Sequence, residues 1–230
     1  MKISGFQKMT LLDFPGKVAC TLFTAGCNFR CGFCHNASLV THIDADVGYS
    51  EDEVLDYLKK RQGLLDGVCI TGGEPLLQPD IEGFIRKVKA LGYSVKLDTN
   101  GSLPEKLISL VEQGLVDYVA MDVKNCKERY AETVGIADFD LAPIERSVAF
   151  LLEGRVDYEF RTTIVKEHHT TQDIVSLGEW IQGAERYFLQ NFVDSGDLIC
   201  GNLSAVDPSD LYNMQQKVEP FVVKTAIRGI

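Results

Sequence analysis

The 230-residue sequence contains no uninterrupted apolar run approaching the roughly 18 residues that a membrane span requires. Its N-terminus has no apolar signal-peptide core. Basic residues form no tract: 23 Lys and Arg are scattered among 33 Asp and Glu, for a net charge of −10. Nucleic-acid affinity depends mainly on Lys and Arg neutralising phosphates, so this balance argues against a nucleic-acid partner. No linker, low-complexity segment or internal repeat interrupts the chain, and one domain over residues 1–230 is expected. A disulfide framework is also missing. Seven cysteines is an odd number, and three of them are clustered, which points to a reducing, cytoplasmic setting. Cys20 and Cys69 sit in apolar strand-like runs, while Cys126 and Cys200 stand alone. All four read as packing or loop residues.

The three clustered cysteines form Cys27-Asn-Phe-Arg-Cys31-Gly-Phe-Cys34-His35-Asn36, directly after the apolar run Lys17 to Phe23. Thiolates this close suit a soft metal centre such as zinc, copper(I) or an iron–sulfur cluster. A four-iron, four-sulfur cluster usually takes four cysteines, so three would leave one iron open to another ligand. A structural zinc site with His35 as fourth ligand is the alternative, because zinc accepts Cys3His sets. Adjacent Cys34 and His35 would reach one tetrahedral ion awkwardly. The zinc reading predicts a colourless interaction module rather than an enzyme.

Cys-x3-Cys-x2-Cys resembles the signature of the radical S-adenosylmethionine (SAM) enzymes, and the likeness extends from about residue 3 to residue 165. Thr71-Gly72-Gly73-Glu74-Pro75 resembles that family's segment for the methionine amino group. Asp98-Thr99-Asn100-Gly101 and Met121-Asp122-Val123-Lys124 resemble segments of one branch, the glycyl-radical-enzyme activases, and the N-terminal run Phe6-Gln-Lys-Met-Thr-Leu-Leu-Asp13-Phe-Pro-Gly16 closes the match. Within that branch the sequence is most similar to the short activators of anaerobic ribonucleotide reductase. The resemblance implies a 4Fe-4S cluster on Cys27, Cys31 and Cys34, with SAM on the open iron. It implies that Phe33 lies near the adenine, that His35 contacts the cofactor or its surroundings, and that Gly72, Gly73 and Glu74 receive the methionine amino group. It further implies a monovalent cation among Asp98, Thr99 and Asp122 beside the SAM carboxylate, with Lys124 and Arg161 as further carboxylate contacts. Asp13 would help recognise the partner, a glycyl radical enzyme, and a ferredoxin or flavodoxin would supply the electron. A small-molecule enzyme resembling 7-carboxy-7-deazaguanine synthases is the second reading.

Each assignment has a plainer counterpart. The glycine pair could be a tight strand-to-helix turn, the two aspartates ordinary strand-end carboxylates, and Asp13 a turn residue. Pyruvate formate-lyase-type activases place a histidine after the sixth strand, where this sequence has Leu189-Gln190-Asn191-Phe192. His168 and His169 read as a solvated loop pair.

The fold expectation comes from alternation. Strand-like runs at Val18–Phe23, Gly67–Ile70, Tyr93–Leu97, Tyr118–Met121, Tyr158–Val165 and Tyr187–Gln190 alternate with helical patterns. Capping boxes are expected at Ser50/Glu53 and Ser102/Glu105. Asp207 and Pro208 open a last helix, and Val218 to Ala226 reads as extended. A closed eightfold barrel needs about 250 residues, so six units make an open, partial (β/α)6 TIM-type barrel of class α/β. The cluster loop (24–38), Gly72 to Glu74, Asp98, Asp122 and the stretch after Gln190 all follow expected strand carboxyl ends, the face where barrels hold their active sites. The region 185–230 carries the weakest pattern.

Overall fold

All strands of the computed structural model, which describes Met1, residues 3–43 and residues 48–229, belong to one eight-stranded sheet. The order along the chain begins β1 (Ile3–Thr10), β2 (Ala19–Thr24), α1 (Ala37–Thr41), α2 (Glu51–Lys59), β3 (Gly67–Gly72) and α3 (Ile81–Ala90). It continues β4 (Ser94–Thr99), α4 (Pro104–Glu112), β5 (Tyr118–Asp122), α5 (Tyr130–Val134) and α6 (Ala142–Leu152). The last third holds β6 (Asp157–Ile164), α7 (Thr171–Trp180), β7 (Tyr187–Asn191), α8 (Pro208–Val218) and β8 (Thr225–Arg228).

Strands pair in sequence order, with β2 to β8 parallel and β1 antiparallel to β2. Among the described residues β8 does not pair with β1, so the barrel stays open along that seam. The six expected βα units are β2 to β7. The two flanking strands were not anticipated. β1 carries Gly5, Gln7 and Lys8 and is half-exposed, which erases the period-2 signal of a buried strand. Val218 to Ala226 is not one extended piece: α8 runs through Val218, a 3-10 turn spans Glu219–Phe221, and only Thr225–Arg228 pairs as a strand.

Helix ends follow local chemistry. The Ser50/Glu53 box forms as expected, and a second one, at Thr170/Asp173, opens α7. The Ser102/Glu105 box does not form. Pro104 sets the first turn of α4 with Leu103 at the cap, while Glu105 pairs with Arg146 and the Ser102 hydroxyl accepts from Asn28. No helix among the described residues is long and apolar enough to cross a membrane.

The helices bury their apolar stripes against the outside of the sheet, as with Ile81, Phe84, Ile85 and Val88 of α3. The inside differs from an apolar barrel core. Register and alternation turn Lys96, Asp98, Asp122, Glu159, Arg161 and Arg228 toward it, and ion pairs link them. Phe14 closes the base: the 11–16 loop folds under the barrel, and the buried ring packs on Ala19 and Tyr118 in a small separate apolar cluster. Gly67 leaves the room, since a Cβ there would lie 2.9 Å from the Phe14 ring. Phe14→Ala is expected to cost about 3 kcal/mol and lower Tm by roughly 10 °C, with iron loading unchanged; a change under about 1 kcal/mol in denaturant titration would refute the base-plug role.

Candidate metal and cofactor site

The loop after β2 is held on three sides by backbone hydrogen bonds. Gly26 donates to Leu39, Arg30 donates to Val134, and the Arg30 guanidinium wraps back onto the carbonyls of Cys27 and Phe29 at 2.7 and 2.8 Å. The third hold is the glycine pair after β3. Gly73 donates to Thr24 O at 2.8 Å and Glu74 N donates to Gly26 O at 2.7 Å. A Cβ on Gly73 would lie 1.9 Å from Gly26 O, and Gly72, at φ +118°, would put one 2.3 Å from Thr24 N. Both glycines are therefore needed to let two backbones touch.

Cys27, Cys31 and Cys34 line a cavity of about 230 Å³ at the carboxyl ends of the strands. Phe33, His35, Gly72, Gly73, Asp98, Thr99, Asp122, Lys124 and Arg161 line it too, along with Asn100, Thr163 and Gln190. Burial pushes the Cys31 thiol up to about 12 and raises Cys27, so metal loading must displace protons. Two donors face Cys27 Sγ, the Phe29 N–H at 3.4 Å and the Asn100 amide at 3.8 Å, and both favour a thiolate. Among the described residues, no three His, Cys, Asp or Glu side chains are gathered as one metal ion requires. Three cysteine sulfurs opening on one cavity are a donor set that fits a four-iron, four-sulfur cluster with one iron left open.

The remaining residues divide by where they point. Phe33 is buried against His168 and His169 at ring distances of 5.8 and 6.4 Å. His35 stacks on Phe192 at 5.6 Å, and burial lowers its pKa. Glu74 turns away from the cavity. Fully buried, its carboxylate accepts from Leu76 N, Asn100 N and Thr99 Oγ1 at 2.7–3.0 Å, which ties the β3 and β4 ends together. His169 is not solvated as expected: it is 3% exposed, Val165 N donates to its Nδ1, and its Nε2–H donates to Lys124 O at 2.8 Å. A neutral ring thus fixes the backbone of Lys124.

Arg161 spans the two strand-end aspartates, reaching Asp122 Oδ1 at 2.9 Å and Asp98 Oδ2 at 3.1 Å. Lys124 holds Asp122 Oδ2 at 3.0 Å, and Lys96 holds Asp98 Oδ1. Against burial, these cations keep Asp98 below and Asp122 well below the usual carboxylate range. Asp13 lies elsewhere. It accepts from Thr21 at 2.5 Å and lines a second cavity of about 510 Å³ with Lys96, Glu159 and Arg228. Asp98, Arg161 and Gln190 line both cavities, so the Asp98–Arg161 pair is the partition between them.

Sequence reasoning missed Asn100 as a sulfur contact and Lys96; it placed the stretch after Gln190 at the mouth but not the contacts that its segment 192–206 makes. That segment lies across the cysteine loop: Asp197 accepts from Ser38, Cys200 N donates to Gly32 O, and Ser195 reaches His35 O. Lys96 had a usable signal, since it stands two residues before Asp98 in a strand and so shares its face. The segment 192–206 has no local pattern.

The profile described as "Radical SAM superfamily" matches residues 21–177. The Methanocaldococcus jannaschii protein named "Putative glycyl-radical enzyme activating enzyme MJ1227" is 29% identical, over 99% of this chain and 89% of its own length. The pyruvate formate-lyase-activating enzyme of Staphylococcus epidermidis is 35% identical, over 78% of this chain and 74% of that one. In structure, Streptococcus suis SuiB bound to S-adenosylmethionine superposes with a TM-score of 0.69 over 90% of this chain. This chain spans 49% of SuiB, and at 16% identity that likeness concerns the fold.

Two outcomes test the site. Gly73→Ala is expected to cost roughly 3 kcal/mol and to lower iron loading, because Gly26 must move; unchanged iron content would refute the backbone contact. Burial raises the Glu74 carboxyl from 4.5 to about 7, so the folded state binds this proton more tightly than the unfolded state. Its contribution is present below about pH 4.5 and lost as pH rises through about 7. Across that window the Tm of the wild-type apoprotein should fall relative to Glu74→Gln; parallel curves would show that the three donors keep Glu74 ionised throughout.

Proposed function

The chain belongs to the radical SAM superfamily, and from that premise we propose that it activates a glycyl radical enzyme, with anaerobic (class III) ribonucleotide reductase as the partner. The observation that carries the reading is the pair of cavities sharing one charged partition. One holds the three cysteines; the other is polar, opens into the lumen of an unclosed barrel, and borders the cysteine cavity at Asp98 and Arg161. A small substrate would be served by one sealed pocket, whereas a loop of a partner protein needs a second entrance.

Cys27, Cys31 and Cys34 would hold a 4Fe-4S cluster, and the cavity beside them would hold SAM. The chemistry these groups supply when bound is one-electron reductive cleavage of the sulfonium, giving methionine and a carbon radical able to take hydrogen from a glycine α-carbon. The chain's own residues bind and orient. Gly72 and Gly73 expose backbone to the methionine amino group, Phe33 gives the adenine an apolar wall, and Lys124 and Arg161 present positive charge to the carboxylate. His35, stacked on Phe192, screens one side from water. Asp13 and the second cavity would receive the glycine loop, and a ferredoxin or flavodoxin would deliver the electron. One domain over residues 1–230 suffices for these roles.

The test is anaerobic reconstitution with iron and sulfide, followed by SAM and dithionite, with methionine and 5′-deoxyadenosine measured by chromatography. Cleavage is expected and should drop to background in Cys31→Ala. Adding the reductase should give a glycyl-radical doublet in electron paramagnetic resonance. A doublet only with pyruvate formate-lyase would reassign the partner, and cleavage that required a small heterocycle would overturn the activase reading.

A further inference from the structure

The Asp98–Asp122 neighbourhood is where the family resemblance implies a monovalent cation, and its oxygen donors are already engaged. Asp98 offers one oxygen to Lys96 and the other to Arg161; Asp122 offers one to Arg161 and the other to Lys124. The Thr99 hydroxyl donates to Glu74 at 2.9 Å and accepts from Gly101 N at 3.1 Å. Three cations thus face two carboxylates, a local formal charge of +1. A hard cation needs free oxygen ligands, and a site already positive repels it. The donor set does not fit an added ion.

We propose that this chain carries the cation covalently: the Lys96 ammonium, with Arg161, takes the place of a monovalent metal ion, and SAM binding does not depend on potassium or sodium. Lys96 is 2% exposed, and its position in the middle of β4 points the stem up the lumen toward Asp98. It reaches Asp98 from the second cavity, which it lines, and leaves the cysteine cavity free. A flexible four-carbon stem ending in a compact charge is suited to replace a small spherical ion. Lys96 is a positioning residue. Held by it, Asp98 keeps the Arg161 guanidinium in the partition, where it can face the SAM carboxylate. The inference rests on the radical SAM assignment and does not depend on which partner is activated.

The experiment compares potassium chloride, sodium chloride and N-methylglucamine chloride at equal ionic strength. It reads the Tm of the apoprotein and methionine release by the reconstituted enzyme. Wild type and Lys96→Arg should show no saturable response to either metal ion. Lys96→Met should melt lower in N-methylglucamine, regain Tm saturably with potassium, and show methionine release about tenfold below wild type that potassium restores. A saturable potassium response in wild type would overturn the proposal, as would a folded Lys96→Met that potassium leaves unchanged in both readouts. Should Lys96→Met not fold in any salt, wild type and Lys96→Arg decide: indifference of both upholds the proposal, and a saturable response in either overturns it. Loss of methionine release in every salt would strike the assigned function and leave the thermal comparison intact.

Discussion

The site depends on one close approach of backbones, where Gly72 and Gly73 lie against Thr24 to Gly26. The cysteine side of the site is referred to that contact. The cysteine loop leaves β2 immediately after it, Glu74 turns inward immediately beyond it, and the buried Glu74 carboxylate then gathers Thr99 and Asn100 from the neighbouring strand. Asn100 in turn reaches the sulfur of Cys27. A chain of short hydrogen bonds thus fixes three loops from three strands to one another before any ligand arrives, which is how a mouth built from separate loops can be pre-organised.

The inside of the barrel follows from what it is not asked to do. A closed barrel fills its interior with layers of branched apolar side chains. Here, among the described residues, β1 and β8 do not pair, and charged side chains from four strands satisfy one another across the interior. Buried ion pairs of this kind add little net stability, because desolvation offsets attraction. Their contribution is placement: Arg161, gripped by two aspartates, can occupy only one position, and that position separates the two cavities.

How much of this was legible in the sequence depended on whether the signal was local. Cys27, Cys31 and Cys34 were legible because a metal loop is written in a few consecutive residues. The six parallel strands were legible because each is a short apolar run bounded by a helix signal. β1 was not, since a half-exposed antiparallel edge strand with a glycine and a lysine lacks both features. The inward turn of Glu74 was hidden because its partners come from another strand. The burial of His169 was hidden because its partner is the carbonyl of Lys124, 45 residues away. The capping box at Ser102 was legible but overruled by Pro104, whose fixed φ settles where the helix starts. In each case the miss lies at a long-range contact or at a competition between two local rules.

The segment that crosses the cysteine loop has a consequence for how the protein is made. Ser38 and Gly32 take their partners from Asp197 and Cys200, roughly 160 positions further along. A nascent chain can therefore form the first three or four βα units, with all three cysteines already outside the ribosome, while the cover over them has yet to be synthesised. During that interval the thiols are open to whatever machinery delivers iron and sulfide. Completion of the last quarter of the chain then lays Ser195 to Cys200 across the cysteine loop, so the order of translation is itself an order of assembly.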